Sequence, residues 1–307
     1  MNRESERLYG ALPTCGDNPR GRGFGWYERR QPHSGGRQGV RRWVHDWPAA
    51  PADRDSDSVA ASDEIRAHSG GSTAIGRNVE YRIGKFAELV SGSWLDFGCA
   101  DGGYAQGLLR VGAQRVTGVD INPQYITAAK ARELPGTVFQ VFDGLSLPFK
   151  DAAFDGALVN EVMEHVVDEE TALDELHRVI RPSGVVVVIS PNRGFPYECH
   201  GCHIGSWRYP RPALFVPWLP RRISNHMVVA RNYWPKQLAG LVEGAGFRIE
   251  RLGFVWPVLE LEEYNWLPRR VSDWYCMRLN RFDSMPGVRR LGLSTMVVGR
   301  RIIGGGR

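Results

Sequence analysis

The chain of 307 residues contains no run of 18 apolar residues, and its N-terminus does not show a basic stretch leading into an apolar core. A helix needs about 20 apolar residues to span a bilayer, so the pattern speaks against a membrane-spanning helix and sets the expectation of a cytoplasmic protein. Cysteine is scarce. The five at positions 15, 99, 199, 202 and 276 are odd in number and scattered, which fits a reducing compartment rather than a disulfide framework. Residues 1–70 lack any sustained period of 3.6 or 2 and are rich in Gly, Arg, Pro, Ser and Asp. Such a segment buries too little apolar surface to offset chain entropy, so a disordered extension is expected there. Its Trp26, Tyr27, Trp43 and Trp47, interleaved with arginines, leave open an arm for an anionic partner.

Charge is unevenly distributed. Residues 71–190 carry 10 Lys+Arg against 16 Asp+Glu, whereas residues 191–307 carry 18 against 8. The basic final third suits an anionic substrate, a membrane surface or nucleic acid, and equally a solvated face. With 42% hydrophobic residues there is ample material for a core.

The organising stretch is WLDFGCADGGYAQGLL, residues 94–109. It reads as a buried strand over Trp94–Phe97, a small-residue turn over Gly98–Gly103, and a helix from Tyr104 to Val111. Small residues where a strand turns into a helix let a ligand approach the backbone and meet the N–H groups of the helix start. A second apolar strand, RVTGVD, ends at Asp120, where an acid commonly holds ribose hydroxyls. Asn122-Pro123 opens a helix, Thr137–Phe142 forms a third strand ahead of Asp143-Gly144, and Phe154–Val159 forms a fourth ahead of Asn160. A helix over Glu169–Ile180 ends at Arg-Pro-Ser-Gly, and the β-branched run Val185–Ile189 reads as a strand covered on both faces.

These motifs resemble the class I S-adenosylmethionine (SAM)-dependent methyltransferases, within the type 11, UbiE-UbiG-like superfamily. LDFGCADG, VTGVDIN, VFDGLSLPF, NEVMEHV and RPSGVVVVISPN follow that family's motifs in unbroken order over roughly residues 75–192. The resemblance implies an α/β, Rossmann-like fold with a mainly parallel seven-stranded sheet and helices on both faces. It also implies SAM as cofactor, held by Asp96, Gly98, Ala100 and Gly102 in the loop. Asp120 would take the ribose, with Ile121, Asp143, Gly144 and Leu145 around the adenine and Asn160 near the methionine end. Ala100 stands where the family usually has glycine, and a methyl fits there if its φ is negative. An amphipathic helix over Asn78–Val90, with Val79, Ile83, Phe86, Ala87 and Val90 on one face, precedes the first strand. In similar enzymes such a helix covers the methionine end, with Arg77 and Tyr81 positioned to help.

Residues 192–234 break the compact pattern, with aromatics spread among prolines, arginines and glycines. A long irregular segment inside a domain is commonly a lid or binding loop, so it is expected to recognise the acceptor. A helix over Lys236–Gly244 and strands over Phe247–Val255 and Ser294–Val298 complete a domain over 71–307, the last strand as an antiparallel partner.

Methyl transfer from a sulfonium needs alignment and exclusion of water more than strong catalytic groups. For a hydroxyl acceptor a base helps, and His165 is the first candidate because its ordinary pKa lies near neutrality. PNRGFPYECHG is similar to a lid stretch of a bacterial subset of these enzymes, which carries His200 over as the second catalytic candidate. Glu198-Cys199-His200-Gly201-Cys202-His203 offers soft ligands, but no second Cys/His pair follows, so no metal is expected. The expected acceptor is a small molecule or a glycan- or lipid-linked group, methylated at oxygen. Residues 213–223, ALFVPWLPRRI, would allow peripheral membrane contact. Two competitors are an NAD-dependent oxidoreductase, disfavoured by the absence of a G-x-G-x-x-G register, and a nucleic-acid binder or RNA-modifying protein using the basic third.

Overall fold

The run of valines at 185–188 is buried throughout and sits at the centre of a sheet. In the computed structural model, residues 76–302 are described apart from 205–206, 210–212, 225, 229 and 259–267. Two short N-terminal strands, Tyr27–Arg29 and Arg42–Val44, are also described and pair antiparallel. The disordered extension expected over 1–70 otherwise lies outside the described residues.

Seven strands form one sheet: β1 (Gly92–Phe97), β2 (Ala113–Asp120), β3 (Thr137–Val141), β4 (Phe154–Asn160), β5 (Ile180–Pro191), β6 (Phe247–Val255) and β7 (Ser294–Arg301). Their spatial order is β3-β2-β1-β4-β5-β7-β6. The first five run parallel, and β7 is antiparallel to both β5 and β6, so the sheet is the mainly parallel one anticipated. Because β1 lies between β2 and β4, the strand order reverses beside it. The crevice beyond the C-terminal ends of these three strands is the place where an open α/β sheet binds ligands.

Alternating residues of β5 serve two cores. Val186 and Val188 pack with Leu95, Phe97 and the helices α4 (Glu169–Val179) and α5 (Pro235–Gly244) on one face. Val185, Val187 and Ile189 pack with Trp94, Leu158 and the helices α1 (Arg77–Gly84), α2 (Gly103–Val111) and α3 (Pro123–Ala131) on the other. Period-two alternation with apolar residues at both phases is what a strand covered twice requires. Two further helices, α6 (Arg269–Cys276) and α7 (Leu279–Ser284), precede β7.

Helix α1 is shorter than the expected Asn78–Val90. It stops at Gly84, Lys85 N–H closes back on Arg82, and Phe86 leaves the helix at φ −141°. Glycine is a poor helix former, and the break still lets Phe86 and Val90 be buried. Strand β5 begins earlier than expected, at Ile180, with a register shift opposite Phe154 and Gly156 and Ser183 at φ +65°.

Residues 192–234 leave and rejoin the sheet edge at one point, where Asn192 and Tyr233 form a parallel bridge. Between them, Tyr197–Glu198 pairs with Ala213–Leu214, and Cys202–Ile204 pairs with Trp207–Tyr209. Tyr233 is buried and its hydroxyl reaches the Met163 carbonyl at 3.0 Å and Glu169 Oε1 at 2.5 Å. Asn192 Nδ2 donates to the carbonyls of Arg290 and Gly292. Both ends of the excursion are thereby tied to the sheet.

Candidate functional site

The turn after β1 is built by close approach. Gly98, at φ +75°, lies so near the turn after β4 that a Cβ on it would sit 2.4 Å from Val162 Cγ2. Gly102, at φ +81°, caps α2, and a Cβ there would meet the Phe139 ring at 2.8 Å. Both positions need glycine for conformation and for space. Ala100 corrects the sequence reading: its φ is +44°, a left-handed conformation that an alanine methyl resists. The Ala100 N–H donates to Asp120 Oδ2 at 3.0 Å, and Asn122 N–H donates to Asp120 Oδ1 at 2.8 Å, which holds the turn against the end of β2.

Asp96, Asp101 and Asp120 gather beneath this loop and are all buried. Burial pushes the Asp96 carboxyl up to about 7, with the charges of Asp120 and Asp101 adding to the shift. Its Oδ2 has no hydrogen-bond donor in the protein. Burial likewise raises Asp120, against the lowering effect of the N–H groups of Asn122, Ala100 and Ile121. Asp101 is tied by an ion pair to Arg132, beyond the end of α3. A buried acceptor oxygen without a donor is costly, and a cationic ligand group is what relieves it. The amino acid end of SAM carries such a cation, so Asp96 and the small-residue turn beside it fit that molecule.

At the β2–β3 side, Ile121 is 66% exposed and Leu145 is 65% exposed. A Cβ on Gly144 would meet Ile121 Cγ2 at 3.3 Å, so the two loops face each other across a narrow gap. Two large apolar side chains left in water at the ends of neighbouring strands suit a flat ring. Asp143 is exposed and its Oδ1 accepts from the N–H groups of Leu145 and Ser146, which holds it below the ordinary carboxylate range. Its visible work is to shape the turn.

A denser polar cluster stands at the C-terminal end of β4. Arg82, reaching in from α1, donates through Nη1 to Asn160 Oδ1 at 2.9 Å and to Glu161 Oε1 at 2.6 Å. Tyr104 from α2 hydrogen-bonds Asn160 and is pushed up by burial. Burial raises the pKa of Glu161, but Arg82 and the Ser294 hydroxyl at 2.5 Å outweigh it, and the net value falls below the ordinary range. Glu161 sits at φ +54°, a strained position that aims it into the cluster. Glu164 goes the other way, driven well up by burial and by the neighbouring Glu161, and its Oε2 accepts from Ser190 Oγ at 3.2 Å. The two neighbouring acids are thus shifted in opposite directions, Glu161 down by its paired cation and Glu164 up by burial and by its neighbour.

The structure brings the two catalytic candidates together. His165 and His200 lie with ring centroids 5.6 Å apart, nearly perpendicular, next to Glu164. Fully buried Glu198 accepts from the His200 N–H at 3.0 Å and lies 3.4 Å from His200 Nδ1, while Asn232 holds its other oxygen at 2.5 Å. The remaining residues of the 198–203 stretch separate: Cys199 is exposed, and Cys202 packs with Val216 and Val228. Arg77 pairs with Asp273 at the surface, and the Tyr81 hydroxyl accepts from Trp256 N–H at 3.4 Å. Arg82 takes the place at the site that was considered for those two. Its position within the apolar stripe formed by Val79, Ile83 and Phe86 was a signal available in the sequence. Glu161, Glu164 and Glu198 were missed as well; they become a group only through the fold. A cavity of about 480 Å³ lies elsewhere, lined by Tyr81, Lys85, Arg251, Asn280, Arg289 and Met296, and shares no residue with the glycine loop or the β4 cluster.

Fold and loop together define a class I SAM-dependent methyltransferase domain. Residues 95–188 match the family described as methyltransferase domain. The chain is 38% identical over 99 residues to the O-methyltransferase cnsE of Penicillium expansum, covering 31% of this chain and 36% of that protein. It is 35% identical over 153 residues to the 2-methyl-6-phytyl-1,4-hydroquinone methyltransferase of Synechocystis sp., covering 49% and 46%. It thus spans less than half the length of these curated relatives. The methyltransferase solved with the Trm112 activator of Haloferax volcanii superposes with a TM-score of 0.54 at 17% identity, over 82% of this chain and all of that one, a likeness of fold alone. No described helix is long and apolar enough to cross a membrane.

Proposed function

We propose that the protein methylates an oxygen of a small-molecule acceptor, free or carried on a glycan or lipid, with SAM as donor. The observation that supports this reading is the close approach of the glycine loop to Val162, in the turn that leads to His165, whose ring lies against that of His200. When bound, SAM would supply a sulfonium methyl that an acceptor oxygen attacks at carbon, the C–S electron pair leaving with sulfur as S-adenosylhomocysteine.

Asp96 holds the amino acid end, Gly98, Ala100 and Gly102 admit the donor to the backbone, and Asp120 takes the ribose. Ile121, Asp143, Gly144 and Leu145 frame the adenine. Arg82 fixes Asn160 and Glu161 at the methionine end, so that alignment is built before the donor arrives. His165 and His200 stand on the acceptor side and act on its hydroxyl. Residues 192–234 form the lid that carries acceptor recognition, within a domain over 71–307. The relatives named as O-methyltransferases support oxygen as the accepting atom.

A lipid-linked acceptor is favoured by one surface feature. Leu214, Phe215, Trp218 and Ile223 are each about half exposed next to Arg221 and Arg222. Apolar and basic side chains in one patch suit a membrane interface, and co-sedimentation with anionic vesicles, lost in Trp218→Ala, tests that choice. The activity itself is tested by calorimetry with S-adenosylhomocysteine and with NAD, followed by methyl transfer from labelled SAM to a panel of phenolic and sugar hydroxyls. Binding of NAD alone would overturn the proposal.

A further inference from the structure

Glu164, His165 and His200 place one carboxylate oxygen and two ring nitrogens within 4.8 Å of one another, a grouping that stands out among the described residues for metal-ligand chemistry. The sequence argued against a metal because nothing downstream of residues 198–203 supplied a second pair of ligands. The fold supplies that pair from upstream, at the turn after β4. Two imidazoles and one carboxylate match the donor set of catalytic zinc sites and related divalent centres.

Three features beyond proximity point to a ligand. Glu164 is 1% exposed, and its Oε1 receives no hydrogen bond. Its other oxygen is oriented by Ser190. Buried Glu198, held by Asn232, lies 3.4 Å from His200 Nδ1 and accepts from the His200 backbone N–H, which sets a carboxyl group beside that ring.

We propose that Glu164, His165 and His200 bind a divalent transition-metal ion, zinc by donor set, whose open position receives the acceptor hydroxyl. This rests on the methyltransferase reading of the same crevice and states how the acceptor is activated. The two histidines act as ligands, and the coordinated hydroxyl releases its proton to solvent because the cation lowers its pKa. The oxygen then forms its bond to the methyl carbon as the C–S bond breaks, and the ion ends the cycle unchanged. Acceptors with two neighbouring oxygens, such as catechols or 2-hydroxy acids, are the class such an ion holds best.

The test uses the full chain with any affinity tag removed, loaded with Zn²⁺ or Co²⁺ and freed of excess metal. The expected result is about one ion per chain by elemental analysis, with visible cobalt bands of a four- or five-coordinate centre. Glu164→Gln, His165→Ala and His200→Ala should each lower retained metal at least tenfold, while Cys199→Ser should not. S-Adenosylhomocysteine affinity is measured on the same samples. If wild type binds the nucleoside but retains no metal, or if the three variants keep their cobalt bands, the metal site is overturned and the methyltransferase reading stands. If wild type retains metal but binds no nucleoside, it is the methyltransferase reading that fails.

Discussion

Arg82 Nη1 lies 2.6 Å from Glu161 Oε1, joining the helix ahead of the sheet to the turn after β4. Their side chains are 6% and 27% exposed, so each charge depends on the other. Breaking one half of a buried pair strands the remaining charge, which costs about 3–5 kcal/mol. Arg82→Met should therefore lower unfolding free energy by about that amount. The double variant Arg82→Met with Glu161→Gln should regain part of it. Urea denaturation of the four proteins closes the cycle, and a single-variant loss under about 1 kcal/mol would show that the pair is worth no more than a surface bridge.

Ala100 provides a second prediction. A non-glycine residue in the left-handed region costs about 1–2 kcal/mol, and glycine's greater unfolded-state freedom returns part of that. Ala100→Gly should raise thermal stability by about 2 °C in a domain of this size. Its N–H still reaches Asp120, so nucleoside affinity should be unchanged or slightly better. A fall in melting temperature would mean that the methyl makes contacts outweighing the strain.

The sheet was legible because its signals are local and repeated: acids and glycines at successive strand ends, and apolar runs of strand length between them. The same holds for the positions of Asp96, Asp120 and the glycine turn, which are set by their neighbours in sequence. The β4 cluster was only half legible. Asn160 and His165 stand in a readable motif, but Arg82 is 78 residues from its partner Asn160, and Glu198 acquires meaning only when His200 swings against His165. Pairings at such separation have no period to betray them. Where they can be sensed, as with an arginine inside an apolar helical stripe, the clue is a residue at odds with its surroundings.

Asp96 gives the free protein a pH dependence of known sign. Its native pKa of about 7 lies above the ordinary 3.8. Between those values the folded chain keeps a proton that the unfolded chain has lost, so stability falls as pH rises through that window and levels off above it. Asp96→Asn removes the effect. The variant should match wild type near pH 4 and exceed it by a few kcal/mol above pH 7, while losing most of its SAM affinity because the ammonium loses its counter-charge. Denaturation midpoints of both proteins across pH 4–8 read the difference directly. A gap between them that stays constant with pH would mean that Asp96 is ionised throughout.

Ile121 and Leu145 separate binding from folding. Both are about two-thirds exposed in the free protein, so neither supports the core appreciably. If they clasp the adenine, their burial occurs on binding, and losing one such apolar contact costs roughly 1–2 kcal/mol. Ile121→Ser and Leu145→Ser should each weaken S-adenosylhomocysteine binding by about tenfold. Melting temperatures without ligand should stay within about 1 °C of wild type, as expected for substitutions at exposed positions. The stabilisation that the nucleoside confers on wild type should shrink in the variants, because that shift follows ligand concentration over dissociation constant. Equal affinities in all three proteins would place the ring elsewhere and leave these two side chains without a role at the site.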